Sequence, residues 1–331
     1  MHQRQLGPFK VSAIGLGCMN LSSGYGKADA DESIRLLNEC IDAGYTFLDT
    51  AALYGFGHNE TLIGEQLSHR RNEYILASKC GYSKGDDGKA KFAGSPEEVR
   101  QICEQSLKRL KTDVIDLYYL HRLDPKVAIE ESVGALSELV DAGKIRTIGL
   151  SEVCEDTLRR AHAVHPITAL QSEYSLWSRT PERKVLSVCQ ELGITFVPFS
   201  PLGRSFLTGK GLDSTQVEKD DLRATIGEPR FRPENFNRNS ALLKPYGEIA
   251  KQQNCSMAQL ALAWILARGD KTMIPIPGTK DINHMRENAG AGDIELDDEV
   301  VNKLDDLINE NTVHGQRYTD ALMASVDSER D

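Results

Sequence analysis

The 331-residue chain has no uninterrupted apolar stretch of the length a bilayer span demands, about 20 residues. That argues against a helical membrane protein. Its first residues, MHQRQLGPFKVSAIGLG, lack the basic-then-apolar pattern of a secretory signal, because Pro8, Lys10 and Ser12 interrupt the apolar run. There is no C-x-x-C pair among the seven cysteines, which are scattered and odd in number. Free thiols in a reducing cytoplasm are expected, rather than a disulfide framework or a zinc site. An excess of positive charge is missing too. The 39 basic and 49 acidic residues give a formal net charge of −10, which argues against nucleic acid as the main partner. Absent as well are H-E-x-x-H, a Walker A loop and a G-x-S-x-G elbow. His162-x-x-His165 has no third ligand beside it and reads as a surface pair, so no metal is expected.

What the chain does contain is a recurring unit: an amphipathic helical stretch ending in Gly, followed by a short β-rich run. DESIRLLNECIDAG leads into YTFLDT, ELVDAG into KIRTIGLS, and CQELG into ITFVPFS. Gly44, Gly143 and Gly193 stand where a helix ends on a left-handed residue. Ser95-Pro96-Glu97-Glu98 and Ser256 with Gln259 read as capping boxes. Strands are expected near 14–17, 46–49, 75–79, 115–121, 146–150, 169–171, 195–199 and 273–275. Eight alternating βα units point to the α/β class and to a single (β/α)8 barrel over residues 1–331 rather than two domains. Residues 1–12 are expected to form a hairpin plugging the barrel bottom, and 201–239 a long loop after the seventh strand. The tail ending in SVDSERD reads as a frayed terminus.

In such a barrel the chemistry sits at the C-terminal ends of strands. Asp49, Lys79, His121, Ser151, Gln171 and Ser200 fall there, with Gly278, Thr279 and Lys280 after the eighth strand. Singly, each has an ordinary structural reading. Together they converge on one face.

GYTFLDTAALYGFGHNETLIG, residues 44–64, resembles the signature of the aldo-keto reductases, with Thr46 departing from the Arg that part of the family carries. YILASKCG and IDLYYLHRLDP resemble the segments carrying that family's lysine and histidine. GLSEV, QSEYSLWSR, SPLGRSFLTGKG and IPIPGTKDINHMREN resemble its cofactor-contact segments. Within the superfamily the match is nearest the auxin-induced-protein-like or pyridoxal-reductase-like branch of microbes and plants. The resemblance implies an NADPH-dependent oxidoreductase that interconverts a carbonyl and an alcohol, with a catalytic tetrad of Tyr54, Asp49, Lys79 and His121. Tyr54 is the expected acid, with Lys79 lowering its pKa and Asp49 holding Lys79 charged. The resemblance further implies that NADP lies extended across the barrel mouth. Ser151, Gln171 and Glu152 would meet the carboxamide, with Phe199 stacked on the ring. Ser200, Pro201, Leu202, Gly203 and Arg204 would line the pyrophosphate, and Gly278, Thr279, Lys280, His284, Glu287 and Asn288 the adenosine end. Lys280 and His284 favour NADPH over NADH. Many relatives carry Asn where Glu152 stands, and a carboxylate cannot donate to a carboxamide oxygen.

Neither Gly15-x-Gly17 nor Gly55-x-Gly57 completes a Rossmann fingerprint. Ser22, Tyr25, Phe56, Tyr82 and Trp177 follow strands and are candidates for the wall of an apolar substrate pocket. A second reading is a cofactor-binding regulatory module resembling potassium-channel β subunits. A third is an unrelated barrel enzyme, such as a glycosidase, although no carboxylate pair is evident. Substrate, reaction direction and monomer or homo-oligomer state stay open at this level.

Overall fold

A computed structural model describes residues 1–22, 24–269 and 271–330. Gln3–Leu6 (β1) and Phe9–Ser12 (β2) pair antiparallel, as expected of the N-terminal hairpin. Leu6 and Val11 project into an apolar cluster with Phe47, Leu117, Val197 and Ile274, so the hairpin closes one end of the barrel.

The barrel strands are Leu16–Gly17 (β3), Phe47–Asp49 (β4), Ile75–Lys84 (β5), Ile115–Leu120 (β7), Ile145–Ser151 (β8), Ile167–Glu173 (β9) and Thr195–Phe199 (β10). They run parallel in that order, and Ala90–Ala93 (β6) pairs antiparallel with the end of β5. Each is followed by helix, which a parallel connection requires. The helices are Ala30–Asp42 (α1), His58–Leu67 (α2), Pro96–Leu110 (α3), Ile129–Asp141 (α4), Glu155–Val164 (α5) and Val185–Leu192 (α6). Glu228–Phe231 (α7), Pro233–Ser240 (α8), Leu243–Gln252 (α9) and Met257–Arg268 (α10) come next, then Ile282–Gly290 (α11), Asp298–Leu307 (α12) and Asp320–Met323 (α13).

The eighth expected strand, 273–275, takes a reduced form. It makes one parallel bridge, Met273 to Phe196, rather than a ladder. Ile274 and Ile276 donate to the carbonyls of Phe196 and Pro198, at 3.0 Å each, and Gly15 and Gly17 donate to those of Pro275 and Pro277. The reciprocal bonds of a parallel ladder would start at residues 198 and 277. Both are proline and have no N–H. The barrel therefore closes as a (β/α)8 ring, with Phe196 donating to the Thr272 carbonyl at 3.0 Å and the bonds that Pro198 and Pro277 would donate left unmade.

Both expected capping boxes are present, at Ser95 with Glu98 and at Ser256 with Gln259. Gly44, Gly143 and Gly193 have φ of 87, 69 and 66°, with open space where a Cβ would sit, so backbone conformation alone selects glycine. The long segment after β10 is not loop throughout, since α7 and most of α8 fall inside 201–239. All seven cysteines are free thiols. His162 and His165 bond the Ile167 amide and the Pro166 carbonyl, through Nδ1 in each case. No helix among the described residues is long and apolar enough to cross a membrane.

Candidate active site

At the C-terminal ends of the strands lies an open cleft of about 1390 Å³. It runs from Tyr54 and His121 past Ser151, Gln171 and Phe199 to Glu287 and Asn288 on α11. β4 delivers Asp49 and β5 delivers Lys79, in neighbouring registers, so two side chains 30 residues apart meet. Both are almost fully buried, at 1% exposure, and the Lys79 ammonium is hydrogen-bonded to the Asp49 carboxylate. It also donates to the Thr50 carbonyl at 2.8 Å and lies 3.3 Å from the Tyr54 hydroxyl. Gln171 Nε2 donates to the second Asp49 oxygen at 2.7 Å. Burial opposes the Lys79 charge, but Asp49 and the Tyr54 oxygen outweigh it and hold its pKa above the ordinary lysine value.

Tyr54 sits in a tight turn with Gly55 at φ 60° and Phe56 at φ 49°, and it lines the cleft. Lys79 pulls the Tyr54 pKa down, as expected, but does not set the net shift. Burial raises it, and the pull of Lys79 offsets only part of that rise. The hydroxyl is thus protonated throughout the physiological range, as a proton donor must be. The His121 ring packs edge-on against Tyr54 at 5.8 Å and Tyr82 at 5.5 Å. Burial, then the charges of Arg122 and Lys79, push its pKa well below the usual histidine value. The imidazole is therefore neutral, and its buried Nδ1 has no hydrogen-bond partner among the described residues.

The turn after β10 has a distinctive backbone. Ser200, Gly203, Arg204 and Ser205 all have positive φ, from 49 to 76°. At Gly203 a Cβ would also lie 2.8 Å from the Trp177 ring. The amides of Leu202, Arg204 and Ser205 donate to no protein acceptor among the described residues. Successive amides in such a turn form a concavity suited to an anion. Ser200, Pro201 and Leu202 line the cleft there, and Ser151, Phe199, Gly278, Thr279, Lys280, His284, Glu287 and Asn288 complete its wall. Lys280 Nζ donates to the carbonyls of Tyr25 (2.7 Å) and Lys27 (2.9 Å), tying the rim loop to the start of α11.

Two expected cofactor contacts are engaged by charged partners within the protein. Glu152, at φ 57°, turns behind the cleft wall, where its carboxylate pairs with Arg317 at 2.6 Å and accepts from the Glu173 amide and the Ser328 hydroxyl. It is not among the cleft-lining residues. Arg204 lines the cleft, but its guanidinium is engaged by Glu173 at 3.0 Å and the Arg317 carbonyl at 3.0 Å. Three of its five side-chain N–H groups lie outside these two bonds, and its backbone amide donates to no protein acceptor among the described residues. Trp177 is buried and stacked on Phe206 at 4.0 Å, away from the substrate end, and Tyr82 lies on β5 rather than in a loop.

The sequence reading missed the C-terminal tail. Arg317 bridges Glu152, Glu173 and Glu329, Tyr318 lines the cleft, and Asp327 accepts from the Cys154 amide at 3.0 Å. Alternating tail charges carry no motif, so nothing in the sequence marked these partners. Burial works against the Glu152 carboxylate, yet Arg317 and Arg122 hold its pKa at about 2. With an unfolded value near 4.5, this carboxylate's stabilisation is complete above pH 4.5 and is lost as pH falls toward 2. Its size is roughly 3 kcal/mol. Between pH 5 and 3, urea unfolding should therefore fall off more steeply for the native chain than for Glu152→Gln. Equal slopes would remove Glu152 from the account of acid lability.

The aldo/keto reductase family model matches residues 13–309. A Glycine max protein described as "Probable aldo-keto reductase 1" is 42% identical over 316 residues, covering 95% of this chain and 90% of its own length. An aldo-keto reductase of Schizosaccharomyces pombe, whose name carries NADP(+), is 41% identical over 95% of this chain and 94% of its own. Among solved structures, a glycerol dehydrogenase from Gluconobacter oxydans superposes with a TM-score of 0.82 at 28% identity, over 92% of this chain and 94% of that one. An aldo/keto reductase from Klebsiella pneumoniae, in complex with NADP and acetate, gives 0.74 at 28%, over 96% and 98%.

Proposed function

The chain belongs to the aldo/keto reductase family, and from that premise we propose an NADPH-dependent oxidoreductase that reversibly reduces aldehydes or ketones to alcohols, with Tyr54 as the general acid. The observation that carries this reading is the buried Asp49–Lys79–Tyr54 chain, opening on the cleft beside a neutral His121.

The residues present fit a dinucleotide. The cleft of about 1390 Å³ is roomy enough for one, the unpartnered amides of 202, 204 and 205 suit a pyrophosphate, and Lys280 retains one N–H beyond its two carbonyl bonds. Bound NADPH supplies the hydride that reaches the carbonyl carbon. The rest falls to this chain. His121, neutral and donating, orients the carbonyl oxygen. Tyr54 Oη gives that oxygen its proton as negative charge develops, and the resulting phenolate is stabilised by Lys79, which stays charged through Asp49. Alcohol oxidation runs the same path backwards. In this reading Ser151 and Gln171 would hold the carboxamide, with Phe199 beneath the ring, and Glu152 takes no part. A small molecule is the partner in this reading, and free thiols suit a reducing cytoplasm.

Lys280 and His284 supply the preference for a 2′-phosphate. Replacing both, as Lys280→Met with His284→Ala, should erode the NADPH-over-NADH ratio of kcat/KM by about ten- to a hundredfold, the range of one or two charge-assisted hydrogen bonds. An unchanged ratio would remove both residues from coenzyme selection. The function itself is tested by NADPH oxidation across a panel of aldehydes and ketones, with alcohol formed in equal amount. A chain that binds NADPH but turns over none of them would fit a regulatory module instead.

A further inference from the structure

We propose that Arg122 is an anion anchor at the substrate end of the cleft, so that the preferred carbonyl compounds carry a carboxylate. This rests on the reductase reading and deepens it.

Arg122 follows His121 directly at the end of β7, is half-buried and lines the cleft. Its Nη1 donates to the His121 carbonyl at 2.6 Å and to Ser151 Oγ at 3.0 Å, which fixes the guanidinium beside the expected carbonyl position. The group lies 6.0 Å from the centre of the Phe199 ring. No carboxylate pairs with it among the described residues. Every other arginine lining the cleft has one: Arg35 and Arg286 pair with Glu39, Arg204 with Glu173, and Arg223 with Asp221. Asp124, two residues on, is buried and accepts from the Gly94 and Lys126 amides instead.

The surrounding charge points the same way. Glu32, Glu39, Asp281 and Glu287 line the adenosine end of the cleft, on or beside α1 and α11. Asp49, beside Tyr54, is already neutralised by Lys79, and Asp220 lines the cleft from the long segment after β10. Lys84 stands over the exposed Phe56 ring at 5.3 Å, and Tyr82 stacks on Phe92 at 5.3 Å. These rings and Lys84 lie beside the cleft, and the Arg122 charge acts on Glu152 behind the wall without a direct ion pair. A half-buried guanidinium loses hydration, and a carboxylate restores the lost interactions through two parallel N–H···O bonds. The Arg122 charge also reaches the reacting groups, lowering the pKa of His121 and opposing the rise at Tyr54.

The test compares 4-carboxybenzaldehyde with its neutral ester, methyl 4-formylbenzoate, in the native chain, Arg122→Met and Arg122→Lys. The native chain should prefer the acid. In Arg122→Met the acid-over-ester ratio of kcat/KM should fall about ten- to a hundredfold, chiefly through KM of the acid. Arg122→Lys should restore only part of it, because an ammonium keeps the charge but not the fork. Affinity for NADPH, read by quenching of intrinsic fluorescence, and thermal melting separate binding from folding. An unchanged ratio overturns the proposal. So does an equal loss with both aldehydes accompanied by weaker NADPH binding, which would assign Arg122 to the cofactor. If the native chain oxidises NADPH with neither aldehyde, nor with any other carbonyl, the reductase reading itself fails and takes this inference with it.

Discussion

Tyr54→Phe should lower kcat by about 10²–10⁴ while leaving NADPH affinity and melting temperature nearly unchanged. The substitution removes one oxygen and keeps the ring, so the edge-on packing against His121 at 5.8 Å survives. What disappears is the hydroxyl 3.3 Å from Lys79, the proton source of the proposed reaction. Hydride transfer would then leave an alkoxide with no donor in place, and neutral His121, pushed well below its usual pKa, is a poor substitute acid. Single-turnover oxidation of bound NADPH measures the chemical step directly. Full activity in Tyr54→Phe would sink the assignment of the acid.

The second large effect is expected at Lys79→Met, on stability as well as rate. The ammonium is buried against Asp49 with no water-facing alternative, at 0% side-chain exposure. Removing it leaves a buried carboxylate whose one remaining side-chain donor is Gln171. Breaking such a pair from one side costs about 3–5 kcal/mol, whereas removing both partners together costs much less. Urea unfolding at pH 7 should therefore show a large loss for Lys79→Met and substantial recovery in Asp49→Asn with Lys79→Met. Activity should not recover with stability, because the phenolate formed at Tyr54 would still have no cation beside it. If the double variant is as unstable as the single one, the loss comes from packing rather than from an orphaned charge. If it regains activity, Lys79 has no role in the chemistry.

How much of this was legible in the sequence depends on distance along the chain. Asp49, Lys79 and His121 could be placed because each ends a strand, and parallel strands in a barrel bring their ends to one face whatever the loops between them. Helix starts were equally local, since Ser95 and Ser256 carry their partners three residues on. The eighth strand was over-read because its β-rich composition hid the effect of Pro198, Pro275 and Pro277 on the seam. Glu152 was assigned by its place beside Ser151, but a positive φ swings it behind the wall toward Arg317, 165 residues away. No local pattern encodes that partner. Arg204 does line the cleft, yet its guanidinium is paired with Glu173, a partner equally absent from any local pattern. The tail looked frayed because its anchors, Asp327 and Ser328, are short polar residues that any terminus might carry. Arg122 stood in plain view beside His121, yet nothing in the sequence showed that it lacks a carboxylate partner.

The central claim is sustained carbonyl turnover, and the measurement that reaches it most directly counts NADPH oxidised per chain with an aldehyde in large excess. The account predicts many equivalents consumed at a steady rate, with one alcohol formed for each. A burst that stops at one equivalent per chain, across a broad panel of carbonyls, would contradict it.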